Sequence, residues 1–448
     1  MGARLTDSPA YGHLWGTDET RAVFDEPARW QRWLDILVAL AAAQAELAII
    51  PSSSAETIAE VARVERLDLD LVAAETQRTA HSTLGLIRAL QQVLPADVAE
   101  HVYYGATVQD ITDTWFGLTM RDVGDLVGRD VDQLMRLVAS VAAQHQQTVM
   151  PGRTHAQPGA PISFGFKLAT WADEFGRHVD RLHEGRRRWS TAQLGGAVGT
   201  LGFYGGVGPA LRARFAERLG LADPGIAWFA SRDRVAEFGA VMTGITGTLA
   251  RIGNEVMELQ RPEIGELHEA VATDVVGSIM MPHKRNPEVS EHLDTLARLT
   301  RASAMVLMDA QVQLHERDGR GWKAEWVALP EVCLLTATAL RLAIGCIEGL
   351  EVDVERMRAN VAAGDGLLAS ERILGILSGR LGKHRAQSVL HEVLGAARRG
   401  DRSTADAVVA AGLLTRAEAD AAIADPIAPG DTAAVRCVLA CVQEERGR

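Results

Sequence analysis

The chain has 448 residues, 47% of them hydrophobic but only 5% aromatic, and a formal net charge of −12. That length exceeds the usual single domain, and abundant alanine and leucine with few aromatics favour helices over strands. The acidic balance excludes a broad phosphate-binding face, so no nucleic-acid partner is expected.

At the N-terminus, Asp7, Asp18 and Glu19 stand where a secretory leader would carry an apolar run, and a cytoplasmic protein is expected. Between Pro27 and Ile50, Trp30, Trp33, Leu34, Leu37, Leu40 and Ala41 recur at helical spacing. The apolar run there is too short to cross a bilayer and is interrupted by Gln44 and Glu46, so no membrane partner is expected. Further helices are expected over 54–64 and 71–94, the latter enclosing His81. After a boundary at Pro95 to Gly105, Thr107, Gln109 and Asp110 crowd the entry to a helix expected over 115–148, where capping and ligand roles suit them equally. Residues 150–159 set two prolines and two glycines around Arg153, Thr154, His155 and Gln157, a concentration that a plain connector seldom shows. Helix is expected again over 161–188. The glycine-rich stretch from Gly195 to Gly208 lacks a P-loop lysine and reads as a tight turn.

Apolar residues at Val235, Phe238, Met242, Ile245, Leu249, Ile252, Val256 and Leu259 step by three and four, which marks a long helix packed in a bundle. The stretch from Gly277 to Pro287 reads as a mobile catalytic loop carrying Ser278, Lys284 and Asn286. Asn286 is the expected N-cap of the following helix, with Pro287 at its first position and Glu288 complementing the dipole. Such a helix start favours negative charge. That helix should run from Val289 to about Leu314, and another over 329–350. Cys333, Cys346, Cys437 and Cys441 lack paired metal-ligand spacing, so no metal is expected. The division expected is an N-terminal helical domain (1–95), a long-helix bundle (96–344) and a C-terminal helical domain (345–448), all-α throughout. The apolar stripes are long enough that bundles of different chains should associate.

The loop motif Gly-Ser-x-x-Met-Pro-x-Lys-x-Asn-Pro belongs to the fumarase/aspartase superfamily. Residues 277–287 match its specified positions, the one change being Ile279 at an open position where the superfamily's loop usually carries a second serine. Gly152 to His155 and Thr107-x-Gln109-Asp110 resemble the superfamily's two other active-site segments, in the expected order. The resemblance covers nearly the whole chain. It implies a three-domain all-α fold and a homotetramer whose long helices form a twenty-helix core, each active site being built by three subunits. It also implies loss of a proton α to a carboxylate, giving an aci-carboxylate dianion that expels a group from the neighbouring carbon. By this resemblance Ser278 is the base, Lys284 and Asn286 hold the dianion, and His155 serves as or orients the leaving-group acid, supported by Glu291. Thr107, Gln109, Asp110, Thr154, His81 and Arg317 would bind a small di- or tricarboxylate. No motif requires a metal or organic cofactor.

Different segments resemble different members. Met281 to Pro287 occurs in both adenylosuccinate lyases and 3-carboxy-cis,cis-muconate cycloisomerases, and Arg232 to Phe238 is similar to both. His315 to Arg317, Gly321 to Trp326 and Glu351 to Met357 look like the cycloisomerases. The serine pair and arginine that adenylosuccinate lyases place near Lys323 to Trp326 are lacking, which argues against a nucleotide substrate. His155 stands where bacterial cycloisomerases carry tryptophan, and it suits elimination of an amine or similar group. His81 looks like a substrate-facing histidine of the adenylosuccinate lyases. Val108 and Ile279 each replace a hydroxyl, so the group beside the substrate carboxylate should be smaller or less charged. The expected activity is reversible β-elimination from a succinate-type substrate, giving fumarate or a close relative. Carboxymuconate cycloisomerisation and adenylosuccinate cleavage are the alternatives within the superfamily. A non-catalytic helical scaffold is the alternative outside it, opposed by retention of Ser278, Lys284 and His155.

Overall fold

A computed structural model describes residues 4–270, 278, 280–281, 283–399, 402–424 and 426–444. The chain is 71% helical, as its composition implies. Five long helices dominate: α1 (Val108–Gln144), α2 (Phe164–Trp189), α3 (Asp233–Gln260), α4 (Glu288–Asp309) and α5 (Gly319–Glu348). The short strands among the described residues form two antiparallel pairs, β1 (Val149–Thr154) with β2 (Gln157–Ser163) and β3 (Leu267–His268) with β4 (Glu351–Val352). The three-and-four stripe on α3 is buried at all eight positions. A fully buried Leu, Ile or Phe side chain contributes about 1.5–3 kcal/mol, so this stripe alone is a substantial part of the core.

Two compact units divide the chain, and the boundary falls within each long helix. The first unit comprises Met1–Asp130, His178–Gly247 and Thr295–Arg341. Its core draws on Phe116 and Val123 of α1, Phe238 and Met242 of α3, Leu307 of α4 and Leu329 and Val332 of α5. The Trp189 and Phe238 rings meet edge to face at 5.4 Å.

The helix expected over 71–94 is two helices here, Leu69–Thr79 and Leu84–Gln92. Ala80 turns left-handed (φ +52°), and the Thr79 hydroxyl accepts the His81 N–H. The break lets the two helices pack on each other. Gly85 makes their contact possible, because a Cβ there would lie 2.4 Å from the Val72 carbonyl oxygen. His81 therefore sits in the connection rather than inside a helix. Its Nδ1 accepts the Leu84 N–H at 3.2 Å, which leaves the neutral ring's proton on Nε2. Burial lowers the pKa of His81 and so favours that neutral form.

The second unit comprises Val131–Arg177, Thr248–Asp294 and Leu342–Arg448. Residues 150–159, expected as a loop, lie within the β1–β2 hairpin, and α2 begins at Phe164 rather than at Pro161. The hairpin closes in two residues, His155 and Ala156, with φ of +51° and +60°. Positive φ at both positions gives a reverse turn that matches strand twist. A bulge between Pro151 and Arg153 accommodates Gly152, where a Cβ would come 2.8 Å from the Ala160 carbonyl oxygen. The C-terminal helices close around a further core that includes Ile373, Leu377, Ala386, Val408 and Ala419.

Candidate active site

In the first unit the site begins with a helix cap. The Asp110 carboxylate reaches back to the Thr107 N–H at 2.9 Å, as the fourth residue of a capping box does. It also accepts the N–H groups of Gly195 and Gly196 at 2.7 and 3.1 Å, so three backbone donors occupy it. Burial nevertheless pushes the Asp110 carboxyl up to about 7. With Asp110 serving the backbone, the Thr107 hydroxyl accepts Nη1 of Arg317 at 2.8 Å. Gly105, at φ +74°, allows the approach to this turn, because a Cβ would meet the Phe203 ring at 2.4 Å.

Arg317 is held by neutral acceptors: Thr107, the Ala197 carbonyl at 3.3 Å and Oε1 of Gln109 at 3.2 Å. Its guanidinium lies 5.1 Å from the Phe229 ring centre. Among the described residues no carboxylate forms an ion pair with it. Thr107, Gln109 and Arg317 are thus joined by hydrogen bonds, whereas Asp110 acts through the backbone.

Beneath them lies a fully buried ionic trio. Arg232 bonds Asp113 at 2.7 and 3.1 Å and Glu325 at 2.9 Å, with a second bond to Glu325, and all three side chains are solvent-inaccessible. Asp113 also accepts Nε1 of Trp322 at 3.2 Å and Nε2 of Gln109 at 3.0 Å. Two carboxylates share one guanidinium, so the fully ionised trio carries one excess negative charge. Burial pushes the Asp113 carboxyl up and Glu325 to about 7, while Arg232 pulls both back down.

In the second unit, Glu291 lies in the first turn of α4, Lys284 and Asn286 lie just before its start, and Ser278 lies ten residues upstream of it. Gly277, Ile279 and Pro282 of the expected loop lie outside the described residues. The Ser278 hydroxyl accepts the Met281 N–H at 3.1 Å, and the Lys284 N–H bonds the Met281 carbonyl. Asn286 was the expected N-cap, but its amide donates to Glu288 at 3.0 Å. The cap is instead Glu269. Its buried carboxylate accepts the Val289 and Ser290 N–H groups at 3.1 and 2.7 Å and the Ser290 hydroxyl. The negative charge that the start of α4 favours is therefore supplied from within the chain. Gln260 binds this assembly together, donating to the Arg285 carbonyl at 3.0 Å and accepting the Glu269 N–H at 2.9 Å.

His155 stands exposed at the hairpin tip beside exposed Thr154. The hairpin itself is anchored lower down, where Arg153 makes a two-pronged bond to buried Glu266 at 2.7 and 2.8 Å. Asn360 donates to the same carboxylate at 2.8 Å.

Residues 14–300 match the family model described as lyase. The chain is 39% identical to N-acetyl-S-(2-succino)cysteine lyase of Dickeya dadantii over 88% of this chain and 86% of that one. It is also 39% identical to the 3-carboxy-cis,cis-muconate cycloisomerase of Pseudomonas aeruginosa, over 83% and 82%. The crystal structure of 3-carboxy-cis,cis-muconate lactonizing enzyme from Pseudomonas putida superposes with a TM-score of 0.89 at 31% identity, covering 98% and 99% of the two chains. The chain belongs to the lyase family of the fumarase/aspartase superfamily.

Sequence reasoning about this lyase missed two groups. Glu269 has no local signature, because it caps a helix some twenty residues further on. In the buried trio, Arg232 and Glu325 fall in stretches that resemble relatives, but nothing in one sequence pairs them with Asp113. The only local hint was spacing, since Asp113 lies one helical turn after Gln109.

Proposed function

We propose that this lyase cleaves a 2-succino adduct by β-elimination, releasing fumarate and a thiol or amine, with a thiol of the N-acylated cysteine kind favoured. The observation that carries the reading is Arg317, a guanidinium hydrogen-bonded to neutral acceptors and in ion-pair contact with no carboxylate among the described residues, Asp110 being committed to backbone N–H groups. A cation so placed is preorganised for a substrate carboxylate. The choice of a heteroatom leaving group is supported by His155 and by similarity to the Dickeya enzyme.

In this mechanism Ser278 removes a proton from the methylene carbon of the succinyl group. The Met281 N–H beside its oxygen supports the alkoxide, and Lys284 with Asn286 stabilises the aci-carboxylate. The C–S or C–N bond then breaks, the carbon–carbon double bond forms, and His155 delivers a proton to the departing heteroatom with Glu291 behind it. Thr107, Thr154 and Arg317 bind carboxylate, Gln109 orients Arg317 through its amide oxygen, His81 offers Nε2–H, and Asp110 holds Thr107 in place.

The enzyme acts in the cytoplasm as a homotetramer in which three subunits complete each site, and its domains follow the divisions 1–95, 96–344 and 345–448. Exposure of Leu299, Met305, Val306 and Met308 on α4 supports association. Incubation with S-(2-succino)-N-acetylcysteine, an N-succinyl amino acid and 3-carboxymuconate, monitored for fumarate and free thiol, tests the reading. Turnover of carboxymuconate alone would overturn it and favour cycloisomerisation. A monomer in sedimentation would refute the shared site.

A further inference from the structure

Arg285 stands between Lys284 and Asn286, the two residues expected to hold the developing dianion, and its guanidinium has the charge to serve the same anion. The structure commits it elsewhere. Its Nη2 donates to the Glu269 carbonyl at 2.8 Å, and the Glu351 carboxylate accepts Nη1 and Nη2 at 3.2 and 3.0 Å. Its own carbonyl oxygen accepts Nε2 of Gln260 at 3.0 Å. Arg285 is therefore held at both its backbone and its side chain.

Gln260, the last residue of α3, is buried and uses both ends of its amide. While Nε2 reaches the Arg285 carbonyl, Oε1 accepts the Glu269 N–H at 2.9 Å. A flipped amide would set donor against donor and acceptor against acceptor, so its orientation is fixed. Glu269 thus gives its N–H to Gln260, its carbonyl to Arg285 and its carboxylate to the first turn of α4. Residues 269 and 285, sixteen positions apart, are tied to each other directly and again through the end of α3. The peptide group joining Arg285 to Asn286 is planar, so holding the Arg285 oxygen also sets the direction of the Asn286 N–H. None of these bonds uses the side chain of Lys284 or Asn286, which the arrangement supports from behind.

We propose that Gln260 and Arg285 are positioning residues for the elimination, a clamp on Glu269 that holds Lys284 and Asn286 where the aci-carboxylate forms. The assignment rests on the carbanion step of the function proposed above. Groups placed for the dianion act on the transition state, so loss of the clamp lowers kcat and leaves KM nearly unchanged. Two ligands separate the two states. Succinate carries ordinary carboxylates, whereas 3-nitropropionate ionised at carbon carries a nitronate, with the planar double bond and paired oxygens of the aci-carboxylate. Titration calorimetry of the full-length protein gives at least about hundredfold tighter binding of the nitronate, as befits a transition-state analogue. Gln260→Met keeps the side-chain length without the amide, and Arg285→Lys keeps the charge without the fork. Each weakens nitronate binding by about tenfold, with an equal loss in kcat on the succinyl adduct, while succinate affinity and KM stay within about twofold. Arg285 is exposed, so its variant keeps the test usable if Gln260→Met does not fold. Folded variants in which the two affinities fall together, or in which neither changes, overturn the proposal. If the nitronate binds the unaltered protein no more tightly than succinate, the carbanion step itself fails, and the clamp assigned to it fails too.

Discussion

Gln109 donates its amide hydrogen to Asp113 across 3.0 Å, and this bond determines that the carbonyl oxygen of Gln109 faces Arg317. The Phe229 carbonyl takes the same amide nitrogen at 3.1 Å, so a flipped amide would set oxygen against two acceptors. A buried charge thus orients a neutral amide, and the amide orients the cation expected to meet substrate. Replacing Gln109 by Leu keeps volume and removes the relay. KM for the succinyl substrate should rise about tenfold, within the range for a hydrogen bond to a charged group. Steady-state kinetics that left KM unchanged would show that Arg317 needs no such support.

Arg317→Lys tests the cation itself. Lysine keeps the charge but cannot bond Thr107 and Gln109 in one plane. KM should rise by roughly ten- to a hundredfold, with thermal stability nearly unchanged because the site is half-exposed. Equal KM in the two proteins would mean that charge alone suffices.

Within the ionic trio, Arg232 is the member whose loss costs most. Arg232→Met leaves two buried carboxyls without a cation, and breaking such a pair costs about 3–5 kcal/mol. Asp113→Asn should cost less, since it removes the trio's excess charge. Urea denaturation of the two variants ranks them.

Stability should also depend on pH through Glu325 and Asp110, both raised to about 7 by burial. A raised carboxyl favours the fold when protonated. Its contribution is complete below the unfolded value near 4 and disappears as pH rises through about 7. Glu325→Gln should therefore flatten the stability profile between about pH 4 and 7 in denaturant titrations, and an unaltered slope would contradict the assignment.

Two substitutions address the chemistry. Ser278→Ala should lower kcat by at least 10²–10⁴-fold if Ser278 is the base. His155→Ala should harm N-succinyl substrates more than thioethers, because a thiol ionises near pH 8.5 and leaves with less help than an amine. Equal losses on the two substrates would remove His155 from the leaving-group side.

The start of α4, just after Asn286, tests a different support. Glu269→Ala leaves the Val289 and Ser290 donors unpaired, and about 1–3 kcal/mol should be lost. Glu269→Gln should recover part of this, since its single oxygen still accepts.

What the sequence made legible follows the range of the forces involved. The α3 stripe is periodic, and all eight of its apolar positions are buried. The break at Ala80 depends on Gly85 meeting Val72 across the connection, which periodicity cannot register. Two-residue closure at His155 and Ala156 was hidden for a related reason, since the pair is not one of the Asn-Gly or Asp-Gly dipeptides that usually mark such a turn. Thr107, Gln109 and Arg317 were expected from resemblance, and hydrogen bonds join them in the structure. Asp113 and Glu325 lie 119 and 93 positions from Arg232, a distance at which one sequence holds no pairing information. Glu269 shows that an N-cap need not come from the residues preceding the helix.

Because the boundary between the two units falls inside five helices, neither unit is a contiguous stretch of chain. The gene therefore cannot be cut at two points to express either unit alone. Chimaeras with relatives should exchange segments at turns such as those before Val108 or after Gln260, where no helix is severed. A graft made at the boundary between the units would join halves of helices from different parents and should compromise both units at once.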